Sequence, residues 1–181
     1  LGYYFSGEHF GNMGRGVPRV NFTSIHHPNQ RPEAFFGEVL TRDLTWLLQH
    51  TDQVLFVLDV PELGFNPVNC VRPFRQGWLG AQLQLDNGCS VSRSQVEERQ
   101  SVYREIAWKV WRDIGSPNLK ILDPLSVLCD SELCYAMKGD LILYRDYNHL
   151  SAEGSIYVWS RLMADLYANG NRTDNGTILH R

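Results

Sequence analysis

Gln53-Val54-Leu55-Phe56-Val57-Leu58-Asp59-Val60 is an apolar run closed by Pro61. A short run rich in β-branched residues fits a strand buried on both faces of a parallel sheet. Upstream, Ala34-Phe35-Phe36 through Leu44, Trp46, Leu47 and Leu48 repeats apolar residues at helical spacing. This predicts a helix over 32–50, with Pro32 in its first turn. Downstream, 61–88 reads as a loop region. A periodic segment carrying Val102, Ile106, Val110 and Trp111 then predicts a helix over 94–114. Ser92 or Ser94 would cap it, and Gly115 and Pro117 would stop it. Leu119 to Asp123 reads as a short strand. Leu133 to Met137 and Leu141 to Tyr144 read as a hairpin, or as two extended pieces, around Gly139-Asp140. Ser151 opens a last helix that runs to about Ala168, with Gly154 standing where a capping box would place Glu.

The order β, loop, α, β, α, β, α predicts an α/β sandwich with a parallel sheet. Leu1 to Phe5 supplies an apolar, strand-like start, and 6–31 a long loop rich in Gly, Asn, His and Pro. One domain is expected over 1–168, followed by a polar tail over 169–181. At 181 residues the chain can bury a sizeable core. It is 43% hydrophobic and 20% charged, as in an ordinary soluble domain. A net charge of -3 provides no electrostatic footprint for nucleic acid. No apolar stretch reaches the roughly 18 residues of a membrane span. The chain starts at Leu1, without an initiator Met or a basic leader, and so reads as the inside of a longer polypeptide.

Four cysteines fall into two local pairs, Cys70 with Cys89 and Cys129 with Cys134. Two disulfides in an oxidising compartment would account for them. Unlinked thiols and a zinc site are the competing readings, although the CxxC spacing is absent. No cofactor and no metal are implied.

The chemistry concentrates in Asp146-Tyr147-Asn148-His149-Leu150-Ser151, between a strand-like run and a helix. An acid three positions before a histidine lets one loop present an imidazole and the carboxylate that orients it, two thirds of a Ser-His-Asp apparatus. The bland alternative is an Asp capping a turn beside an exposed His. In a parallel sheet such a loop belongs at the carboxyl edge of the strands, where Asp59 would also lie. Ser6-Gly7-Glu8-His9-Phe10-Gly11-Asn12 has glycines that permit close backbone approach and could hold an oxyanion; otherwise it is a flexible connection. His26-His27 reads as solvated loop, and Glu97-Glu98-Arg99 as a solvated helix face. Trp46, Trp108, Trp111 and Trp159 read as core packing, whereas Trp78, with Phe74, is the candidate for stacking on carbohydrate. Asn21, Asn171 and Asn175 stand in glycosylation sequons.

In order, several segments resemble one family: Gln53–Val60 with Pro61, Asn66-Pro67-Val68-Asn69-Cys70, and Cys89 with Arg93, Arg99 and Arg104. Leu128-Cys129-Asp130, Cys134 and Leu143-Tyr144-Arg145-Asp146-Tyr147-Asn148-His149-Leu150-Ser151 follow. Together they look like the extracytoplasmic SGNH domain fused to membrane-bound acyltransferases of bacterial surface polysaccharides, the acyltransferase-3 family. The similarity runs from about Gln53 to Leu166. It implies a three-layer, flavodoxin-like α/β sandwich of the SGNH hydrolase type in a periplasmic or extracytoplasmic location, tethered to a membrane domain. The implied activity is acyl transfer, plausibly of acetyl, to or from a sugar or polysaccharide hydroxyl, with the acyl donor delivered by the fused membrane domain. By position His149 is the base and Asp146 its orienter. Asn12 and Gly7 are the nearest matches to the oxyanion-hole Asn and Gly, although the family's Gly-x-Asn-Asp form is absent. The family's nucleophile stands in a Gly-Asp-Ser segment after the first strand. That triplet does not occur here: Gly139-Asp140 is followed by Leu141, and Ser6 lies between Phe5 and Gly7. The sandwich is therefore expected to be incomplete at the N-terminus, with the serine upstream of Leu1. A glycan-binding module that has lost its serine, and a carbohydrate esterase, are the other readings.

Overall fold

The computed structural model describes residues 29–67, 70 and 89–170. The opening run forms β1, Val54–Val57, which pairs in parallel with β3, Leu119–Leu122, in the register Val54 to Leu119 and Val57 to Leu122. The ladder continues one residue further, where the Leu58 N–H donates to the Leu122 carbonyl at 2.9 Å. The strand thus ends before the 60th residue, because the chain leaves the sheet ahead of Pro61, which has no N–H to donate.

Two helices cover one face of this sheet: α1, Pro32–His50, and α2, Arg93–Ile114. Alternation along the strands decides what they touch. Val54, Phe56, Leu58, Leu119 and Ile121 pack with Leu40 and Leu44 of α1 and with Tyr103, Ala107 and Val110 of α2. Leu55 and Leu122 point the other way. They join a second core with α3, Leu125–Leu128, and α4, Ala152–Gly170, through Val158 and Leu162. Helices against both faces make this an α/β sandwich. The second face is covered only in part, since Val57 stays 40% exposed rather than buried as its neighbours suggested.

The helix boundaries follow local chemistry. Gly115, at φ 57°, adopts the left-handed conformation that ends α2, and its N–H donates to the Trp111 carbonyl at 3.2 Å. Ser92 is the N-cap of α2, but its hydroxyl bonds to that of Ser94 at 2.7 Å and caps no amide. The last helix runs two residues beyond Ala168, and the polar stretch after Gly170 lies outside the described residues.

The expected hairpin after the cysteines divides in two. β4, Leu133–Tyr135, pairs antiparallel with β2, Ser90–Ser92, a strand too short and polar to be read from sequence. Only β5, Met137–Lys138, and β6, Leu141–Ile142, turn back on each other, around Gly139 at φ 59°. Trp108 and Trp111 pack against the core as expected. Trp46 and Trp159 do not: they are 56% and 48% exposed.

The cysteines pair at disulfide distance, Cys70 with Cys89 and Cys129 with Cys134. The second bridge closes a knuckle around Asp130. There the Tyr135 hydroxyl and the N–H groups of Leu133 and Glu132 hold the Asp130 carboxyl down at about 2. Arg93 ties the knuckle to α2, donating from its side chain to the Asp130 carbonyl at 2.9 Å and from its N–H to the Glu132 carbonyl at 2.8 Å.

Gly154 shows why α4 sits where it does. A Cβ at this position would lie 1.9 Å from the Leu143 carbonyl oxygen, a backbone atom with nowhere to go. At an ordinary helix position Gly→Ala stabilises by about 1 kcal/mol. Here the sign reverses, because the helix must back away from Leu143. Overpacking of this kind costs about 3 kcal/mol. Gly154→Ala is therefore expected to lower the thermal midpoint by roughly 10 °C. An unchanged or raised midpoint in a calorimetric scan would show that the helix does not dock this tightly.

Candidate functional site

The loop 145–149 is closed at its neck before any chemistry is considered. Tyr144 and Leu150 form a β-bridge, and the Arg145 N–H donates to the His149 carbonyl at 2.8 Å. Ser151 then starts α4. Its hydroxyl donates to the Ile142 carbonyl at 2.7 Å and accepts the Gly154 N–H at 2.8 Å. The partial capping box is thus a complete Ser cap, and Gly replaces Glu because the helix touches Leu143.

Within this frame Asp146 is the organising group. Its Oδ1 accepts the N–H of His149 at 2.8 Å and that of Asn148 at 3.1 Å. Both carboxylate oxygens lie 2.9 Å from His149 Nδ1. A carboxylate only accepts, so Nδ1 carries the hydrogen, and in the neutral imidazole this leaves the lone pair on Nε2. The His149 side chain is 60% exposed and that of Asp146 29%. One loop therefore presents an accessible basic nitrogen on an imidazole held in a single tautomer. The same carboxylate both caps the turn beside an exposed histidine and grips the ring.

The site also lies at the expected edge. The segment after β1 reaches it directly: the Leu63 N–H donates to the Tyr147 carbonyl at 2.9 Å, and the Tyr144 hydroxyl to the Pro61 carbonyl at 3.0 Å. Tyr144 is 1% exposed, and burial together with the nearby Asp59 carboxylate pushes its hydroxyl pKa well up, so it stays a hydrogen-bond donor. Asp59 is thus near the site, as its place at the end of the strand suggested. Ser6, Gly7 and Asn12 lie outside the described residues, as do His26, His27, Phe74 and Trp78.

The arginines that mark the resemblance take supporting roles. Arg104 grips Asp123, just after β3, with both of its terminal nitrogens. Burial disfavours the Arg104 charge, yet the Asp123 carboxylate outweighs it and raises the guanidinium pKa. Arg99 is not on a solvated face; it donates to the Glu62 carbonyl at 3.0 Å. Sequence reading also passed over Gln100, which is fully buried. Its signal was present: Val96, Gln100, Tyr103, Ala107 and Val110 form the buried stripe of α2, with one amide among apolar and aromatic residues.

Residues 1–163 match the family described as SGNH domain (fused to AT3 domains). The chain belongs to this family. Comparison with curated proteins and with solved structures finds no match. Membership of the SGNH family supports chemistry of the acyltransferase or esterase kind, on an α/β hydrolase-type fold. Among the described residues no helix of this SGNH domain is long and apolar enough to cross a membrane. The fusion that names the family points to a membrane acyltransferase as a companion domain.

Desolvation raises the Asp146 pKa, but the Asn148 N–H, the His149 ring and the His149 N–H outweigh it and hold the carboxyl below its ordinary value of 3.8. A depressed carboxyl contributes stability that is complete above its unfolded value and is lost as pH falls through the lower folded value. The loop should therefore stay ordered down to the ordinary carboxylate range and open only below it. The amide proton shifts of Asn148 and His149, followed by NMR in acid, are expected to turn over below pH 3.8. A midpoint above that pH would contradict the geometry.

Proposed function

We propose that this SGNH domain moves an acyl group, acetyl in the simplest case, to or from a hydroxyl of a cell-surface polysaccharide by Ser-His-Asp chemistry. The observation that carries the reading is the grip of both Asp146 oxygens on His149 Nδ1 at 2.9 Å. His149 Nε2 takes the proton of a serine as it attacks the acyl ester, and returns it to the departing alcohol. Asp146 keeps the ring in the tautomer that permits this and stabilises the imidazolium that forms. Acylation of the serine divides the transfer into two easier steps. The chain contains no Gly-Asp-Ser; in this reading it supplies the base and its orienter, and the serine comes from elsewhere in the protein. The two disulfides fit an oxidising, extracytoplasmic location, and the family's fusion fits delivery of the acyl group by a membrane domain.

In the complete protein, His149→Ala should lower turnover of a chromogenic acetyl ester by on the order of 10³-fold or more, and Asp146→Asn by a comparable factor. Near-normal turnover in His149→Ala would sink the mechanism. Supplying an oligosaccharide acceptor alongside water distinguishes transfer from hydrolysis, since only a transferase gives an acylated sugar.

A further inference from the structure

Beyond Leu58, the residues Asp59-Val60-Pro61-Glu62-Leu63 belong to no regular element, yet Pro61, Glu62 and Leu63 are buried. Buried backbone outside a ladder must find partners elsewhere. Four consecutive carbonyls find them in side chains. Asp59 accepts from the Tyr103 hydroxyl at 3.4 Å, and Val60 from Gln100 Nε2 at 2.7 Å. Pro61 accepts from the Tyr144 hydroxyl at 3.0 Å, and Glu62 from Arg99 Nη1 at 3.0 Å. Three of these donors stand on one face of α2, and the fourth stands at the neck of the Asp146–His149 loop. The next residue, Leu63, donates its N–H to the Tyr147 carbonyl at 2.9 Å, between the acid and the histidine.

Stability alone does not call for this arrangement. Gln100 is fully buried with its Oε1 unpartnered, so its amide is held at a desolvation cost that an apolar side chain on the same stripe would avoid. A buried hydrogen-bonded network does one thing that apolar packing does poorly: it selects a single backbone geometry. The geometry selected here is that of a strap lying against the middle of the catalytic loop.

We propose that Gln100 and Tyr144 are positioning residues for His149. Through the Asp59–Leu63 strap they hold the Tyr147 carbonyl, and so keep the imidazole on the Asp146 carboxylate. The role rests on the reading of Asp146 and His149 as the catalytic pair, but the physical claim concerns the ring's orientation and is tested without turnover.

Three variants of the full chain separate the cases. Tyr144→Phe removes only a hydroxyl, Gln100→Met removes the amide at similar volume, and Val110→Ala opens the same helix's core in a cluster that holds no residue of the strap. Hydrogen exchange of the Leu63 amide should accelerate about tenfold or more in the first two variants. The ¹⁵N signals of the His149 ring should then move from a single tautomer towards the mixture expected for an Asp146→Ala reference. Val110→Ala should lower the thermal midpoint and leave the ring signals unchanged. Should Gln100→Met fail to fold, the conservative Tyr144→Phe carries the test alone. Ring signals that stay at the single tautomer in the strap variants overturn the proposal. So does an unaltered Leu63 exchange rate, and so does an equal response to Val110→Ala. Loss of the acyl-transfer reading would appear separately, as normal turnover in His149→Ala.

Discussion

The parallel pairing of Val54–Val57 with Leu119–Leu122 is the constraint from which the site follows. Once these strands lie side by side, the chain leaves the sheet at Asp59 and at Asp123 on the same edge. Asp123 is gripped by Arg104 and also caps the first turn of α3, with the Leu125 N–H at 3.0 Å from its Oδ1. The other exit becomes the strap that meets the Asp146–His149 loop. Two short strands thus bring the acid and histidine to this edge, although neither strand contributes an atom of the pair.

Polar chemistry is buried here in an ordered way. Tyr103 and Gln100 face inward from α2, and Tyr144 faces the same segment from the opposite side. Tyr103 is held neutral well above its ordinary pKa, chiefly by burial and then by the neighbouring Asp59. These groups occupy positions where Leu or Phe would pack as well. Their use as donors to consecutive carbonyls lets an irregular segment be buried without stranding its backbone. Charge is treated in two ways: Arg104 pairs with Asp123 where their side chains are only 14% and 24% exposed, whereas Arg145 is exposed and approaches Asp146 only to 3.7 Å.

The disulfides act at the ends of this system. The Cys129–Cys134 bridge forms a knuckle that presents β4 to β2, and its acid, Asp130, is occupied by Tyr135 and two backbone N–H groups. The Cys-Asp step that contributed to recognising the family is therefore scaffold in this chain. The Cys70–Cys89 bridge ties the segment that follows the strap to the residue before β2.

Long periodic segments were legible because one period dominates them. The helix over 32–50 stands where its apolar spacing and Pro32 put it, and Gly115 ends the next one by the left-handed turn that glycine favours. The acid–histidine spacing was legible for the same reason, since three residues of a tight loop bring the two side chains together. What the sequence by itself determined was local: elements, caps, cysteine pairs and a carboxylate beside an imidazole. Only the tertiary structure decided the rest. Ser90–Ser92 becomes a strand because a partner arrives from 133–135, Gln100 becomes a donor because Val60 passes over it, and Gly154 is required because Leu143 lies against it. Each of these depends on residues far apart in the chain, and periodicity carries no information about which distant backbone atom will need a partner.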